Sequence, residues 1–123
     1  MTALLVGAAA VVGALVRFGL DTYLARKSPP GRPTFPWSTL VVNVAGSFLI
    51  GLAFGLLMRG ALAGDAYPVA AAGLAGGLTT FSSWSVATLQ LWLERRPRAA
   101  AVNLAANVLL GVLAAAAGRL LAG

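Results

Sequence analysis

Residues 76–85 read GGLTTFSSWS, and they lie in a run from 66 to 93 that contains no charged side chain. An uncharged run of this length is typical of a helix that crosses a bilayer, which requires about 20 mostly apolar residues. Glycines, hydroxyl groups and two aromatic rings at its centre are unusual, because every polar group inside a membrane needs a partner. The stretch therefore indicates a membrane segment with a specialised centre.

Composition extends this interpretation to the whole chain. Hydrophobic residues make up 59% of the sequence and charged residues only 10%, whereas about a quarter of the residues of a soluble domain are charged. The sequence predicts an all-α membrane protein that forms one domain over residues 1–123. Its four transmembrane helices are expected at about 2–24, 37–58, 66–92 and 99–121.

The third predicted span is longer than a straight crossing requires, and Gly76 and Gly77 lie in its middle third. We therefore predict that this helix is broken near its middle. A broken helix is tolerated at membrane depth only where the freed backbone is buried in protein or lines a cavity, and such breaks commonly build ion sites. The break thus predicts an ion site.

Several classes of protein are excluded or disfavoured. The chain has no cysteine and no histidine, which excludes disulfides and disfavours the usual metal sites. No nucleotide-binding motif is present, and we expect the chain not to be an enzyme. A secretory signal is an alternative for the apolar N-terminus, but no basic residue precedes the apolar run and three further spans follow it.

The basic residues are distributed unevenly. The net charge is +6, and the loops predicted at 25–36 and 94–98 hold six basic residues, whereas the opposite membrane face has only Arg59 and Arg119. Because cytoplasmic loops are enriched in Lys and Arg, both loops are predicted to be cytoplasmic and both termini external. We expect these charges to face lipid headgroups and no nucleic acid to be a partner.

Polar side chains form two stripes at helical spacing. Thr39, Asn43 and Ser47 share one face of the second span, and a second stripe, on the fourth span, consists of Asn103, Asn107 and Gly111. Two interpretations stay open at this point: the stripes line a path for a polar solute, or they form hydrogen bonds between helices.

The acidic residues distinguish between kinds of transporter. Asp21, Asp65 and Glu94 all lie near the ends of spans. A small multidrug antiporter requires a carboxylate inside the membrane, and a lining of amides and hydroxyls with Arg17 favours a small anion instead. Alternatives are such an antiporter, a non-transporting membrane subunit and, for Arg17 alone, a snorkelling side chain paired with Asp21.

Two aromatic residues and several glycines complete the pattern. Phe81 and Trp84 are three residues apart, so they share a helical face, and the positive edges of their rings attract an anion weakly enough for fast passage. Simple packing is the alternative. Since four helices leave little room for an aqueous path, function is predicted to require an oligomer, with Gly51 and Gly55 providing close helix contact.

Three motifs resemble a known family. GGLTTFSSWS resembles the GGxTTFSTF signature of the small fluoride channels known as CrcB or Fluc proteins. TLVVNVAGSFLIG at 39–51 resembles their TLxVNxxGSFxxG motif, and GALVRF at 13–18 resembles their GxxxRY motif. The likeness covers nearly the whole chain.

This resemblance implies a dual-topology antiparallel dimer in the cell inner (plasma) membrane, with two pores that export fluoride passively and give fluoride resistance. It implies a structural sodium ion (Na+) at the dimer centre, held by the backbone carbonyls of Gly76 and Thr79, and a vestibule arginine at Arg17. The pore residues that it implies are Phe81, Trp84, Asn43, Thr39, Ser82, Ser83 and Asn107.

The chain departs from the family pattern at three positions. Trp84 stands where a second phenylalanine is usual, and Asn103 and Asn107 stand where Tyr and Ser are usual. The charge bias is also unlike that of a subunit that inserts in both orientations. The partner is therefore expected to be either a second copy or an oppositely biased paralogous subunit, and the latter pair would retain one competent pore.

Overall fold

The fold was described from a computed structural model, in which residues 1–31 and 34–123 are helices and short connections, with no strand among them. Arg32 and Pro33, which the sequence places in the first basic loop, lie outside the described residues. The long helices are α1 (Thr2–Lys27), α2 (Trp37–Met58), α5 (Phe81–Leu93) and α6 (Pro97–Leu121). Between α2 and α5 come α3 (Ala66–Pro68), a π-helical stretch (Val69–Ala75) and α4 (Gly76–Leu78).

Two extended residues separate α4 from α5. Thr79 has φ −78° and ψ 158°, and Thr80 has φ −149° and ψ 118°. Helix α5 begins directly after Thr80 because the Thr80 side chain accepts a hydrogen bond from the backbone N–H of Ser83, which satisfies one of the free donors at a helix start. Gly76 and Gly77 themselves are helical, so the departure from helical geometry lies at the threonines.

Three helices, α1, α2 and α6, are long and apolar enough to cross a membrane. The prediction of an all-helical protein with membrane-type segments is confirmed to that extent. The 66–93 segment is divided into shorter helices, and none of them reaches the length of a crossing. A fourth crossing made by this segment stays a prediction.

Close helix contacts hold the subunit together. A Cβ atom added at Gly51 would overlap the backbone of Ala115, so the glycine lets α2 and α6 approach each other. Gly55 in the same GxxxG motif likewise packs against Ala122 of this chain. The motif that the sequence offered for close helix contact thus makes its contacts inside the subunit.

The outer faces of the helices are apolar and uncovered. Only Val42 and Asn103 are large side chains with essentially no exposed area within the described residues. Phe18 of α1 and Leu113 of α6 are examples of large apolar side chains that are exposed in the single chain. Such surfaces are suited to contact with lipid or with another subunit.

Candidate functional site

A groove with a volume of about 300 Å³ lies between α2, α6 and the start of α5. We call it the Asn43 groove. It brings together residues from all three elements and is open on one side. Its lining consists of Asn43, Ser47, Ile50, Thr79, Thr80, Phe81, Trp84, Asn107 and Val108.

Asn43 holds the extended backbone of Thr80. The Thr80 N–H donates to Oδ1 of Asn43 at 2.8 Å, and Nδ2 of Asn43 donates back to the Thr80 carbonyl at 3.2 Å. Because a backbone N–H can only donate, the atom that it meets must be the amide oxygen, which fixes the orientation of the Asn43 amide. Asn43 Nδ2 also donates to Oδ1 of Asn107 at 2.9 Å. Both N–H bonds of Asn43 are therefore engaged within the chain.

Hydroxyl groups surround the N-terminus of α5. Thr80 Oγ1 accepts from the Ser83 N–H at 3.1 Å and lies 3.2 Å from the hydroxyl oxygens of both Ser82 and Ser83. Among the described residues, the backbone N–H groups of Phe81 and Ser82 donate to no protein acceptor. Free N–H groups at the positive end of a helix favour negative charge, so this corner of the groove has the chemistry to bind an anion.

Phe81 and Trp84 form the aromatic wall of the groove. Their ring centroids are 5.4 Å apart and their planes are inclined at 77°, an edge-to-face arrangement. Phe81 is 73% exposed, whereas Trp84 donates its Nε1–H to the backbone carbonyl of Asn103 at 3.2 Å. The shared face predicted from the spacing is present. The bond to Asn103 ties the indole to α6, which a phenylalanine at this position would not achieve.

The two polar stripes meet. Asn43 of α2 faces Asn107 of α6, and Gly111 lies opposite the Ser47 hydroxyl. One turn before Asn107 on α6, Asn103 is fully buried, and its Nδ2 donates to the hydroxyl of Thr88 on α5 at 2.9 Å. For Asn103 and Asn107 the structure shows bonding between helices, one of the two interpretations that the sequence left open.

Thr39 does not line the groove. It is buried on α2 one helical turn before Asn43. Ser82 and Ser83 are exposed and border the groove through Thr80. The sequence analysis missed Thr80, although threonine directly before a helix is a preferred N-cap residue. It also missed Thr88, for which the sequence offers no signal beyond its helical register with Trp84.

Arg17 reaches the extended residues rather than an acidic neighbour. Its Nη1 donates to the carbonyl oxygen of Thr79 at 3.2 Å, and the Thr79 hydroxyl donates to the carbonyl of Gly76 at 3.3 Å. The ion pair found in the described part of the chain joins Arg96 and Glu94 at 3.9 Å. The alternative pairing of Arg17 with Asp21 is therefore not formed there.

Metal-binding side chains do not cluster in the described ranges. No group of three or more His, Cys, Asp or Glu side chains comes together in residues 1–31 and 34–123. The oxygen atoms available to a cation near the groove are the backbone carbonyls of Gly76 and Thr79. Each of these two carbonyls already accepts one hydrogen bond.

Comparison with known proteins gives consistent matches over almost the full length. A family model described as CrcB-like protein, Camphor Resistance (CrcB) matches residues 4–119. A protein of Renibacterium salmoninarum named fluoride-specific ion channel FluC is 46% identical over 118 residues, which cover 94% of each chain. A Thermus thermophilus protein of the same name is 42% identical over 98% of this chain and 92% of its own. A Symbiobacterium thermophilum protein named fluoride-specific ion channel FluC 1 is 40% identical over 94% and 92%.

Proposed function

The chain belongs to the CrcB-like family, and from that premise we propose that it is a fluoride-selective channel through which fluoride leaves the cytoplasm passively, giving fluoride resistance. The observation that carries this proposal is the match to proteins named as fluoride-specific channels over almost the whole of both chains. No source of energy is required, because a channel lets its ion flow down the gradient that already exists.

The chemistry of the Asn43 groove supports a small anion. Its polar groups are amides, hydroxyls and, at its corner, the backbone N–H groups of Phe81 and Ser82. No acidic side chain is among the groove residues. Fluoride is small and strongly hydrated, so a path must offer hydrogen-bond donors in place of water, while weak ring-edge contacts allow the ion to leave.

We propose that fluoride passes along the Phe81–Trp84 wall. The proposed lining within the groove is Phe81, Trp84, Asn43 and Asn107. Ser82 and Ser83 border it, and Thr39, buried one helical turn before Asn43, is proposed to line the path beyond the groove. Asn43 already uses both N–H bonds, so it donates to fluoride only when it releases Thr80 or Asn107. Ser82 and Ser83 are exposed. The Ser83 oxygen accepts from the Thr80 hydroxyl, so the Ser83 O–H can donate to fluoride without such a change.

The open side of the groove supports a second subunit as the missing wall. Phe81 is mostly exposed in the single chain, and an ion pathway at membrane depth must be closed off from lipid. We propose an antiparallel, dual-topology dimer in the inner (plasma) membrane, with the basic loops at 25–36 and 94–98 in the cytoplasm. The charge bias makes an oppositely biased paralogous subunit the alternative to a second copy.

We further propose a structural sodium ion at the dimer centre, held by the backbone carbonyls of Gly76 and Thr79 from both subunits. Carbonyl oxygens suit a bare alkali cation. Gly76 is exposed, and a Cβ added there would meet only the Ala71 carbonyl at 3.7 Å, which leaves room for a second chain. The Arg17 guanidinium would share the Thr79 oxygen with the ion.

Fluoride efflux from liposomes, followed with a fluoride electrode, tests the proposed function. The native chain, Phe81→Ile, Asn43→Asp and the control Phe18→Ile are compared. Phe18 lies on α1 outside the groove and is 69% exposed, so the control makes the same change at a similar exposure. We expect efflux from the native chain and the control, and a severe loss in the two groove variants.

The other outcomes separate the pathway, the partner and the function. Equal release by all four proteins would reject the groove as the pathway. No release from the folded native chain alone, restored by a co-expressed paralogous subunit, would establish the heterodimer. No release under either condition would favour a non-transporting membrane subunit, in which the polar network serves packing.

A further inference from the structure

Asn43 belongs to a longer series of hydrogen bonds that continues into the interior of the subunit. Asn107 Nδ2 donates to the backbone carbonyl of Asn103 at 2.9 Å and to its Oδ1 at 3.1 Å. Asn103 Nδ2 donates to the Thr88 hydroxyl, which in turn donates to the Trp84 carbonyl at 2.8 Å. We call Thr80, Asn43, Asn107, Asn103 and Thr88 the amide circuit.

The amide circuit has only one permitted direction. At one end the Thr80 N–H can only donate, and at the other the backbone carbonyl of Asn103 can only accept. These two backbone groups determine which way the amides of Asn43 and Asn107 point. Rotating either amide by half a turn would set donor against donor or acceptor against acceptor. The orientation of Asn43 that the Thr80 backbone fixes therefore agrees with only one orientation of Asn107, the one in which Asn107 donates to Asn103.

Both ends of the amide circuit lie on or next to α5. It begins at Thr80, just before Phe81, passes through Asn43 of α2 and the two asparagines of α6, and ends at Thr88 on α5. The Asn103 carbonyl also accepts the Trp84 indole N–H. Asn103 thus bonds directly to the aromatic ring one turn into the helix and is linked through Asn107 and Asn43 to Thr80, the residue before the helix.

We propose that Asn103 is a positioning residue for the groove. Acting through Asn107 and Asn43, it holds the extended Thr80 and so fixes the direction in which Phe81 and the free N–H groups of α5 point. Asn103 has no exposed area, so water cannot readily replace its lost bonds. The transport consequence rests on the proposed function, whereas the effect on Thr80 does not.

The experiment uses Asn103→Leu, which keeps a side chain of similar size but removes the side-chain bonds to Asn107 and Thr88. The backbone carbonyl of residue 103 can still accept from Asn107 and Trp84. Val102→Leu is the control, because it introduces the same residue at an exposed neighbouring position. Hydrogen exchange of the Thr80 amide and the NMR signal of the Asn43 side-chain amide are measured in lipid nanodiscs. Fluoride efflux and thermal stability are measured on the same samples.

We expect the Thr80 amide to exchange about fivefold faster in Asn103→Leu, the effect of one net hydrogen bond. The Asn43 signal should move, and efflux should fall by more than in the control. A merely structural role would lower thermal stability and leave the Thr80 and Asn43 signals in place, and that result would overturn the proposal.

Thr88→Val is the second variant and removes only the hydroxyl at the end of the amide circuit. If Asn103→Leu does not fold, an unchanged Thr80 amide in Thr88→Val overturns the proposal and a faster exchange supports it. If the native chain conducts no fluoride, either alone or with a co-expressed paralogous subunit, the proposed function fails. The exchange of the Thr80 amide still decides the role of Asn103 in that case.

Discussion

Asn43 donates a hydrogen bond to Asn107 across 2.9 Å, and this contact joins α2 to α6 at the point where their polar faces meet. The bond lies at the inner wall of a groove whose other wall is formed by Phe81 and Trp84. Helix packing and the proposed ion path therefore depend on the same two amides. Substitutions in this region can be sorted by whether they disturb the fold, the path or both.

Replacing Asn107 by Leu should destabilise the subunit. Asn107 is buried and bonded to both Asn43 and Asn103, and leaving a buried donor without a partner costs about 1–3 kcal/mol. Thermal unfolding in detergent measures the change. Val108→Leu, at the exposed adjacent position, should leave the unfolding temperature unchanged. Equal stability of Asn107→Leu and the native chain would mean that the buried amide bonds add nothing net.

Replacing Gly51 by Ala should push α2 and α6 apart. The added Cβ would overlap the Ala115 backbone, and overpacking of this kind costs about 1–3 kcal/mol or more. Gly7→Ala is the matched control, since a Cβ there meets nothing within 4 Å and alanine favours the helix by about 0.5–1 kcal/mol. The unfolding temperature should fall for Gly51→Ala and rise slightly for Gly7→Ala. Size-exclusion chromatography checks that both variants are folded. A harmless Gly51→Ala would contradict the close packing of these helices.

Trp84→Phe should separate the role of the ring edge from that of the indole N–H. The bond from Nε1 to the Asn103 carbonyl is lost, which should lower stability by about 1 kcal/mol. Fluoride efflux should persist, because an aromatic edge remains next to Phe81. Trp84→Ile removes the ring as well and should abolish efflux. If folded Trp84→Phe releases no fluoride, the indole itself is required for passage.

Arg17→Gln should strengthen sodium binding if the ion is held by Thr79. The guanidinium donates to the Thr79 carbonyl, and a positive charge so close to the ion disfavours it by Coulomb repulsion. Efflux is measured as sodium is titrated into sodium-free liposomes. The sodium concentration for half-maximal efflux should fall at least about tenfold, equivalent to roughly 1.4 kcal/mol. An unchanged concentration would place the ion away from Thr79.

Some features of the site follow from the sequence and others do not. Spacing of four residues puts Asn43 and Ser47 on one helical face, because the helix itself fixes that relation. Spacing does not state how α2 is rotated against α6, so the meeting of Asn43 with Asn107 came only with the fold. The contact between Arg17 and Thr79 is beyond sequence reasoning for the same reason, since no local rule relates α1 to the end of α4.

The glycine pair illustrates how packing overrides propensity. Glycine is a poor helix former, and Gly76 and Gly77 were the natural place to expect a departure from the helix. At Gly77 an added Cβ would overlap the Ala10 backbone, so the residue serves close contact with α1 while it remains helical. The backbone instead extends at Thr80, where Asn43 bonds both backbone groups and the hydroxyl caps α5.

The exposure of Phe81 on the single chain bears on cell safety. If the facing wall of the conduit comes from a second polypeptide, a solitary copy in the bilayer has its ring against acyl chains and carries no current. Surplus or newly inserted copies would then be electrically silent, and membrane permeability would rise only with the number of completed pairs.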